Sequence, residues 1–186
     1  MAVYVDESKK LFTLSTAHTT YQMMVDKYGV LNHIYYGENI GQEDMSYLLD
    51  YGDCGFSGNI YEAENIRTYS MDTRPQEYST CGVGDYRINS VSVVNPDGTD
   101  GVDLRYVSHR VSRGKYSIHG MPALYGDEKD ADTLQIQLQD ACTGLPILSS
   151  LKSLILWTFS LNSYLKNRAK SDEQSLYLVL NSQKWV

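Results

Sequence analysis

Short segments in which hydrophobic and polar residues alternate dominate the first 140 residues. The clearest is TLQIQLQ at 133–139, where Leu134, Ile136 and Leu138 alternate with glutamines. A period of two predicts a β-strand with one buried face and one solvated face. The same kind of pattern predicts further strands at 3–5, 11–15, 21–25, 30–37, 88–94 and 102–111.

Turn sequences separate these segments, for example Asn95-Pro-Asp-Gly98. No convincing helical period appears before residue 145, and the 16 tyrosines are typical of a β-rich protein. Strands without intervening helices favour antiparallel pairing over an α/β arrangement. We therefore predict a mainly β fold, an antiparallel β-sandwich.

The pattern changes at Leu145, where the chain becomes rich in Ser, Leu and Lys. Apolar residues close to one helical stripe predict a C-terminal amphipathic helix: Leu151, Leu154, Ile155, Leu161 and Leu165. The alternative is that this tail is not native to the domain. We place one domain at residues 1–144 and a divergent tail at 145–186.

Residues 50–80 follow neither a strand period nor a helical period. They contain six carboxylates and two arginines together with several aromatic residues. A loop of this length is either functional or disordered, and disordered chains are usually poor in aromatic residues. The composition therefore predicts an ordered surface loop that contacts a ligand or partner.

The charge balance excludes several classes of partner. The net charge is −7 and no run of basic residues is present, so neither nucleic acid nor an anionic membrane is an expected partner. The first ten residues lack the apolar core of a signal peptide, and no apolar stretch reaches eighteen residues. We expect a cytoplasmic, soluble protein.

No cofactor or metal is indicated by the cysteines and histidines. Cys54, Cys81 and Cys142 are odd in number and widely spaced, so they predict neither a disulfide framework nor a zinc site. The four histidines are isolated from one another, and we expect His33 to pack between tyrosines on a strand. The glycines of CGVGD lack the lysine of a phosphate-binding loop.

Several sequence blocks in a fixed order carry a family resemblance. They are YGVLNHIYYG at 28–37, DYGDCGFSGN at 50–59, RTYSMDTRPQEYST at 67–80, GVGDYR at 82–87, DGTDGVDLRYVSHRV at 97–111 and KYSIHGMPALY at 115–125. With them the chain resembles the N-terminal domain of α-galactosidases of glycoside hydrolase family 36, over about residues 4–144. The resemblance implies a large antiparallel β-sandwich, a supersandwich, in agreement with the strand pattern.

The same resemblance implies that catalysis belongs to a following (β/α)₈ barrel. Two aspartates act there, one as nucleophile and one as acid/base, in a retaining mechanism. Such a barrel takes roughly 250 residues, whereas 42 residues follow Gly144. We therefore expect the barrel to lie outside these 186 residues and assign no catalytic residue, so that the chain should be inactive alone.

The resemblance also implies that Asp53 and Arg67 bind substrate. In the family's oligomers, a loop of this domain reaches the active site of a neighbouring subunit. A carboxylate accepts hydrogen bonds from sugar hydroxyls and a guanidinium donates them, while Tyr51 and Phe56 could form an apolar wall. The alternative is structural: Asp53 caps a turn, and Arg67 pairs with a nearby acid such as Asp72.

The tail departs from the family pattern until EQSLYL at 173–178. A shifted reading frame that is later corrected would produce this pattern, and so would genuine divergence. The resemblance therefore predicts the N-terminal module of an α-galactosidase, truncated or frame-disrupted, which belongs to a homo-oligomer when joined to its barrel. The alternatives are a free-standing carbohydrate-binding sandwich and a vestigial structural fragment.

Overall fold

The computed structural model describes residues 2–55, 58–63, 65–94, 98–114, 131–144, 146–153 and 159–165. Within these ranges the chain forms eight strands: β1 (Ala2–Asp6), β2 (Leu11–Ser15), β3 (Thr19–Val25), β4 (Leu31–Glu38), β5 (Leu104–Arg113), β6 (Asp132–Asp140), β7 (Pro146–Ser153) and β8 (Phe159–Leu165). The helical elements of the described residues are two short 3₁₀ turns, Ser46–Leu49 and Tyr61–Ala63. No helix in the described ranges is long and apolar enough to cross a membrane.

The strands form two four-stranded antiparallel sheets in which strand order follows chain order. One sheet contains β1 to β4 and the other contains β5 to β8. Buried side chains from both sheets meet in one core, including Phe12, Leu14 and Met23 from the first sheet and Leu134, Ile136 and Leu138 from the second. The prediction of a mainly β, antiparallel sandwich is confirmed.

In strand β6 the alternation of apolar and polar residues in the sequence corresponds to an alternation of buried and partly exposed side chains. Leu134, Ile136 and Leu138 are at most 1% exposed, whereas the glutamines between them are partly exposed. The apolar side chains face the first sheet, so each removes its hydrocarbon surface from water and contributes about 1.5–3 kcal/mol.

The predicted strand at 88–94 is wrong, although its burial does alternate. Val91 and Val93 are buried in the main core, but the segment forms no strand ladder. The backbone N–H groups of Ser90 and Val91 both donate to the Ser79 carbonyl, 2.9 and 3.2 Å away. The segment therefore covers the core as a loop, and two of its backbone N–H groups bond to another loop instead of a strand.

The predicted C-terminal helix is also wrong over the described part of the tail. β7 pairs with β6 along its length, and β8 pairs with β7, with Leu151 opposite Leu161. Pairing with an open sheet edge supplies a ladder of backbone hydrogen bonds, which overrides a weak helical stripe. Leu154 and Ile155 of that stripe lie outside the described residues. The boundary at residue 144 and the frame disruption stay predictions.

The long connection between β4 and β5 packs against the first sheet. The His33 N–H donates to the Pro75 carbonyl at 2.7 Å, and the Glu77 N–H donates to the Leu31 carbonyl at 3.0 Å. These bonds flank an isolated bridge between Asn32 and Gln76. The connection therefore covers the edge of β4 over residues 31–33, where backbone groups would otherwise be open to pairing with another chain.

His33 lies on β4, as expected, and its environment is only partly tyrosine. Its ring centroid is 4.9 Å from that of Tyr21, and its Nδ1 is 3.7 Å from a carboxylate oxygen of Glu77. The same Glu77 carboxylate accepts the hydroxyl of Tyr21 at 2.5 Å. The histidine thus takes part in fixing the connection to the sheet.

Candidate functional site

A small cluster of buried apolar side chains orders the 50–80 loop. It consists of Val30, Ile60, Ala63, Tyr69 and Met71, all buried. Val30 precedes β4, whereas the others come from the loop itself. Burial of aromatic and aliphatic side chains orders a segment that has no strand of its own, and the prediction of an ordered loop is confirmed for its described residues.

The side chain of Asn59 fixes the course of the loop around this cluster. Its amide nitrogen lies 2.7 Å from the carbonyl oxygen of Ala63, 3.3 Å from that of Ile66 and 2.5 Å from that of Tyr69. A side-chain amide can satisfy carbonyls that a helix or sheet would otherwise satisfy. Asn59 therefore draws the backbone at residues 63, 66 and 69 around one side chain, with its two N–H groups shared among the three carbonyls.

Tyr69 joins the loop to the turn before β4. Its hydroxyl donates to Asp26 Oδ2 at 2.7 Å, and Asp26 Oδ1 accepts the backbone N–H groups of Tyr28 and Val30. Burial, followed by the Asp26 carboxylate, raises the pKa of Tyr69 well above its ordinary value. The phenol therefore stays protonated as a donor at physiological pH.

Arg87 braces the loop from the other side. Its Nη2 donates to the carbonyl oxygens of Met71 and Arg74, at 3.0 and 2.7 Å. The same guanidinium forms an ion pair with Asp85, whose side chain is fully buried. The buried carboxylate raises the pKa of Arg87, and the pair gives these loop carbonyls a charged donor.

Asp53 and Arg67 lie side by side on the outer surface of this frame. Arg67 Nε is 3.0 Å from Asp53 Oδ1 and 2.9 Å from Oδ2. The backbone brings them together, because the Cys54 N–H donates to the Arg67 carbonyl at 2.6 Å. The structure thus joins the two residues that the family resemblance assigned to substrate, although they are fourteen positions apart.

Both side chains remain open to solvent. Arg67 is 63% and Asp53 57% exposed, and within the described ranges Arg67 donates only through Nε. The Gly55 N–H at 2.8 Å, and after it Arg67, hold the pKa of the Asp53 carboxyl below its ordinary value. The pair therefore presents an ionised acceptor beside a guanidinium whose terminal amino groups can donate.

The structural alternative for these residues is partly realised. Asp53 does cap a turn through the Gly55 N–H, where Gly55 has a φ of +68°. Arg67, however, pairs with Asp53, whereas Asp72 accepts the hydroxyl of Ser70. Capping fixes the orientation of the carboxylate without removing it from solvent, so the structural contact and a binding role are compatible.

Of the two aromatic residues suggested as an apolar wall, the structure describes only Tyr51. Tyr51 is half-buried, packs with Leu49, and its ring centroid is 5.6 Å from the guanidinium carbon of Arg74. Its role in the described structure is to pack beneath the loop. Phe56 lies outside the described residues.

Neither a disulfide nor a metal-binding cluster is found in the parts of the chain that the structure describes. Cys54, Cys81 and Cys142 are not joined in disulfides, and Cys54 and Cys81 are partly exposed. The described residues contain no group of three or more His, Cys, Asp or Glu side chains that could hold a metal ion. The candidate site is the Asp53–Arg67 pair on the surface of the loop.

The family model for the glycosyl hydrolase family 36 N-terminal domain matches residues 29–153. The chain belongs to this family. Among family 36 relatives, the bifunctional α-galactosidase/sucrose kinase AgaSK of Mediterraneibacter gnavus is 50% identical over 140 residues, which are 75% of this chain and 15% of that protein. The α-galactosidase AgaA of Geobacillus stearothermophilus is 33% identical over 158 residues, 84% of this chain and 21% of that protein.

Solved family 36 structures share the fold. The galactosidase domain of AgaSK superposes with a TM-score of 0.78 at 46% identity, covering 82% of this chain and 21% of that one. The α-galactosidase AgaB of Geobacillus stearothermophilus gives 0.79 at 34% identity, covering 90% and 23%. The chain thus spans about a fifth of the length of its family 36 relatives.

Proposed function

We propose that this chain is the N-terminal module of an α-galactosidase that hydrolyses terminal α-galactosides with retention of configuration. The relatives that carry the name α-galactosidase support this proposal, because the chain matches the N-terminal domain of their family. Bond cleavage belongs to the barrel that the family resemblance implies. The module contributes to substrate binding and to assembly.

The 50–80 loop is the part of the module that faces substrate. The observation that carries this proposal is the Asp53–Arg67 pair, two exposed charged side chains held 2.9 Å apart on a braced surface. Exposed ion pairs contribute little to stability, typically about 0–1 kcal/mol. Many contacts order the loop around this ion pair, although the pair itself adds little to the stability of the chain. This combination favours a binding role for Asp53 and Arg67.

The chemistry of the pair suits vicinal sugar hydroxyls. Arg67 already uses Nε on Asp53, so its terminal amino groups can donate to one hydroxyl while a lone pair of Asp53 accepts from the next. Since the ion pair fixes both side chains beforehand, less rotamer entropy is lost when the sugar binds. The substrate would lie in the barrel of a neighbouring subunit, so the full enzyme would be a homo-oligomer.

A chimeric enzyme tests the proposal. This module replaces the N-terminal domain of AgaSK, and kcat and KM for an α-galactoside are compared for the parent chimera, Arg67→Ala and Asp53→Asn. We expect kcat/KM to fall by roughly tenfold or more in each variant, because a charge-assisted hydrogen bond to substrate is lost. Arg110→Ala, an exposed arginine on β5, is the matched control and should leave kcat/KM unchanged.

Kinetics equal to the parent in both loop variants would refute the substrate-facing role. The free-standing alternative gives a different result, in which the isolated 186-residue chain binds galactosides and Arg67→Ala abolishes that binding. Two tyrosines, Tyr61 at 86% and Tyr86 at 83% exposed, could serve as stacking surfaces in that case. A vestigial fragment would show neither effect.

A further inference from the structure

An open cavity of about 830 Å³ lies beside the turn between β1 and β2. Its walls come from this turn, the end of β3 and the 3₁₀ turn Ser46–Leu49, with Arg74 and Tyr106 from later in the chain. Neither Asp53 nor Arg67 lines it. It is therefore separate from the Asp53–Arg67 pair, although Asp50 and Arg74 of its lining belong to the 50–80 loop.

The lining of this cavity contains more cationic than acidic residues, four against two, although the chain as a whole has a net charge of −7. The cationic residues among its lining residues are Lys9, Lys10, Lys27 and Arg74, and the carboxylates are Asp26 and Asp50. Lys9 is already paired with Asp44 at 2.5 Å. This leaves Lys10, Lys27 and Arg74 as the cations that a ligand could engage.

Arg74 is the buried cation of the group. It is 8% exposed, its Nη1 donates to the Leu49 carbonyl at 3.0 Å, and its guanidinium carbon lies 4.3 Å from the ring centroid of Tyr69. Its Nε is buried without a hydrogen-bond partner, and no carboxylate of the described residues forms an ion pair with it. A buried charge without a counter-ion is costly, and an anion in the cavity would offset that cost.

Two lysines supply positive charge at the surface of the same cavity. Lys10 Nζ lies 4.9 Å from the ring centroid of Tyr106, itself a lining residue, and Lys27 Nζ lies 4.8 Å from that of Tyr28. Both lysines are exposed, and in the described part of the chain neither forms an ion pair. Contact with an aromatic face leaves the ammonium N–H groups free to bind an anion.

We propose that this cavity binds a phosphate group, held by Arg74 together with Lys10 and Lys27. Three cations around one space match a dianion better than a monovalent carboxylate, and a guanidinium donates to phosphate oxygens in a fixed geometry. The volume is within the range of small-molecule sites, so the phosphate can carry a small organic body. Ser8 and Ser46 also line the cavity, and because their hydroxyls already bond to Asp6 and Asp44, their oxygens can serve that body as acceptors. This phosphate site does not depend on a substrate-binding role for Asp53 and Arg67.

Titration of inorganic phosphate into the complete 186-residue chain tests this site, with calorimetry at constant ionic strength. We expect saturable binding to one site, and a Kd that is roughly tenfold higher in the double variant Lys10→Gln/Lys27→Gln. Arg110→Gln, which removes a positive charge on β5 outside the cavity, should bind like the parent. Absence of saturable binding, or an unchanged Kd in the lysine double variant, would overturn the proposal.

The nature of the anion is tested in the same way with acetate. We expect acetate to bind at least roughly tenfold more weakly than phosphate, because it offers one negative charge to three cations. Equal affinity for the two anions would refute the assignment to phosphate. The lysines are replaced in place of Arg74, because Arg74 also donates a hydrogen bond to the Leu49 carbonyl and its replacement would disturb the fold.

Discussion

Gly84 lies where two segments of the long connection cross with their backbones in contact. Its φ is +88°, and a Cβ added there would lie 2.6 Å from the carbonyl carbon of Gly58. Both partners of this contact are backbone, so neither can move aside as a flexible side chain would. The crossing joins the start of the loop to the segment that follows it, and its tightness requires glycine.

Replacement of Gly84 by alanine should therefore destabilise the chain strongly. Gly98→Ala is the matched control, because its φ is +82° and a Cβ there would meet nothing within 4 Å. In both variants the alanine must adopt a left-handed backbone, which destabilises the fold by about 1–2 kcal/mol. Only in Gly84→Ala does the new Cβ also collide with backbone atoms. We expect Gly84→Ala to lose roughly 1–3 kcal/mol more than Gly98→Ala in urea unfolding. Equal losses would show that the crossing can open without cost.

The residues of the candidate site differ in how far the sequence predicts them. Asp53 and Arg67 followed from family blocks, but their pairing with each other did not, because Asp72 is nearer to Arg67 in the chain. Asn59, Asp26 and Arg74, which hold the loop in place, were missed. Asp26 caps its own turn through the Tyr28 and Val30 N–H groups, which is a local signal, but its contact with the Tyr69 hydroxyl forms only in the folded chain. The same holds for the contacts of Arg74 with the Leu49 carbonyl and the Tyr69 ring, so no local pattern marks them.

The turn between β1 and β2 is tied to the first 3₁₀ turn by one ion pair. Lys9 Nζ lies 2.5 Å from Asp44 Oδ2, and the Ser46 N–H donates to Asp44 Oδ1 at 2.8 Å. Lys9, followed by Ser46, lowers the pKa of Asp44 from 3.8 to about 2. The ionised carboxylate is thus better stabilised in the folded chain than in the unfolded chain.

This pKa shift predicts the acid dependence of stability. A lowered folded-state pKa gives a contribution that is complete above pH 3.8 and is lost as the pH falls towards about 2. We expect Asp44→Asn to be less stable than the parent at pH 5, and the difference to vanish near pH 2. Glu43→Gln, which removes a neighbouring exposed carboxylate, should show no such convergence in thermal unfolding. A difference between Asp44→Asn and the parent that does not change with pH would contradict the ion-pair explanation.

At the level of elements, alternation predicted strands well wherever a neighbouring strand was available. β2, β3, β4, β5 and β6 all lie where the pattern put them. The alternating pattern at 88–94 predicts correctly that Val91 and Val93 are buried. Burial alone, however, does not supply a neighbouring strand for backbone hydrogen bonds. In the tail, the open edge of β6 decides the structure of 146–153, and this information is absent from the tail's own sequence.

The whole molecule depends on both sheets, and the second sheet extends into the tail. β7 is hydrogen-bonded to β6, which carries Leu134, Ile136 and Leu138 of the core. We expect a chain that ends at Gly144 to melt roughly 5 °C or more below the 186-residue chain, because the ladder to β7 is lost. Calorimetry on the two chains makes the comparison.

A third chain that ends at Ser153 keeps β7 and serves as the control for simple shortening. Recovery of most of the stability in this chain would assign the effect to β7. Undiminished stability of the chain ending at Gly144 would instead support a domain boundary at residue 144. The shortest chain should also self-associate, since the edge of β6 would be open to pairing.

The strand order also governs what happens while the protein is being made. Each sheet contains only neighbouring strands, but Phe12 and Leu134, more than a hundred positions apart, belong to one core. β4 ends at Glu38 and β5 begins at Leu104, so translation at roughly 5–20 residues per second separates the two sheets by several seconds. During this interval the first sheet has emerged from the ribosome with its apolar face uncovered, and protecting that face is a task for chaperones.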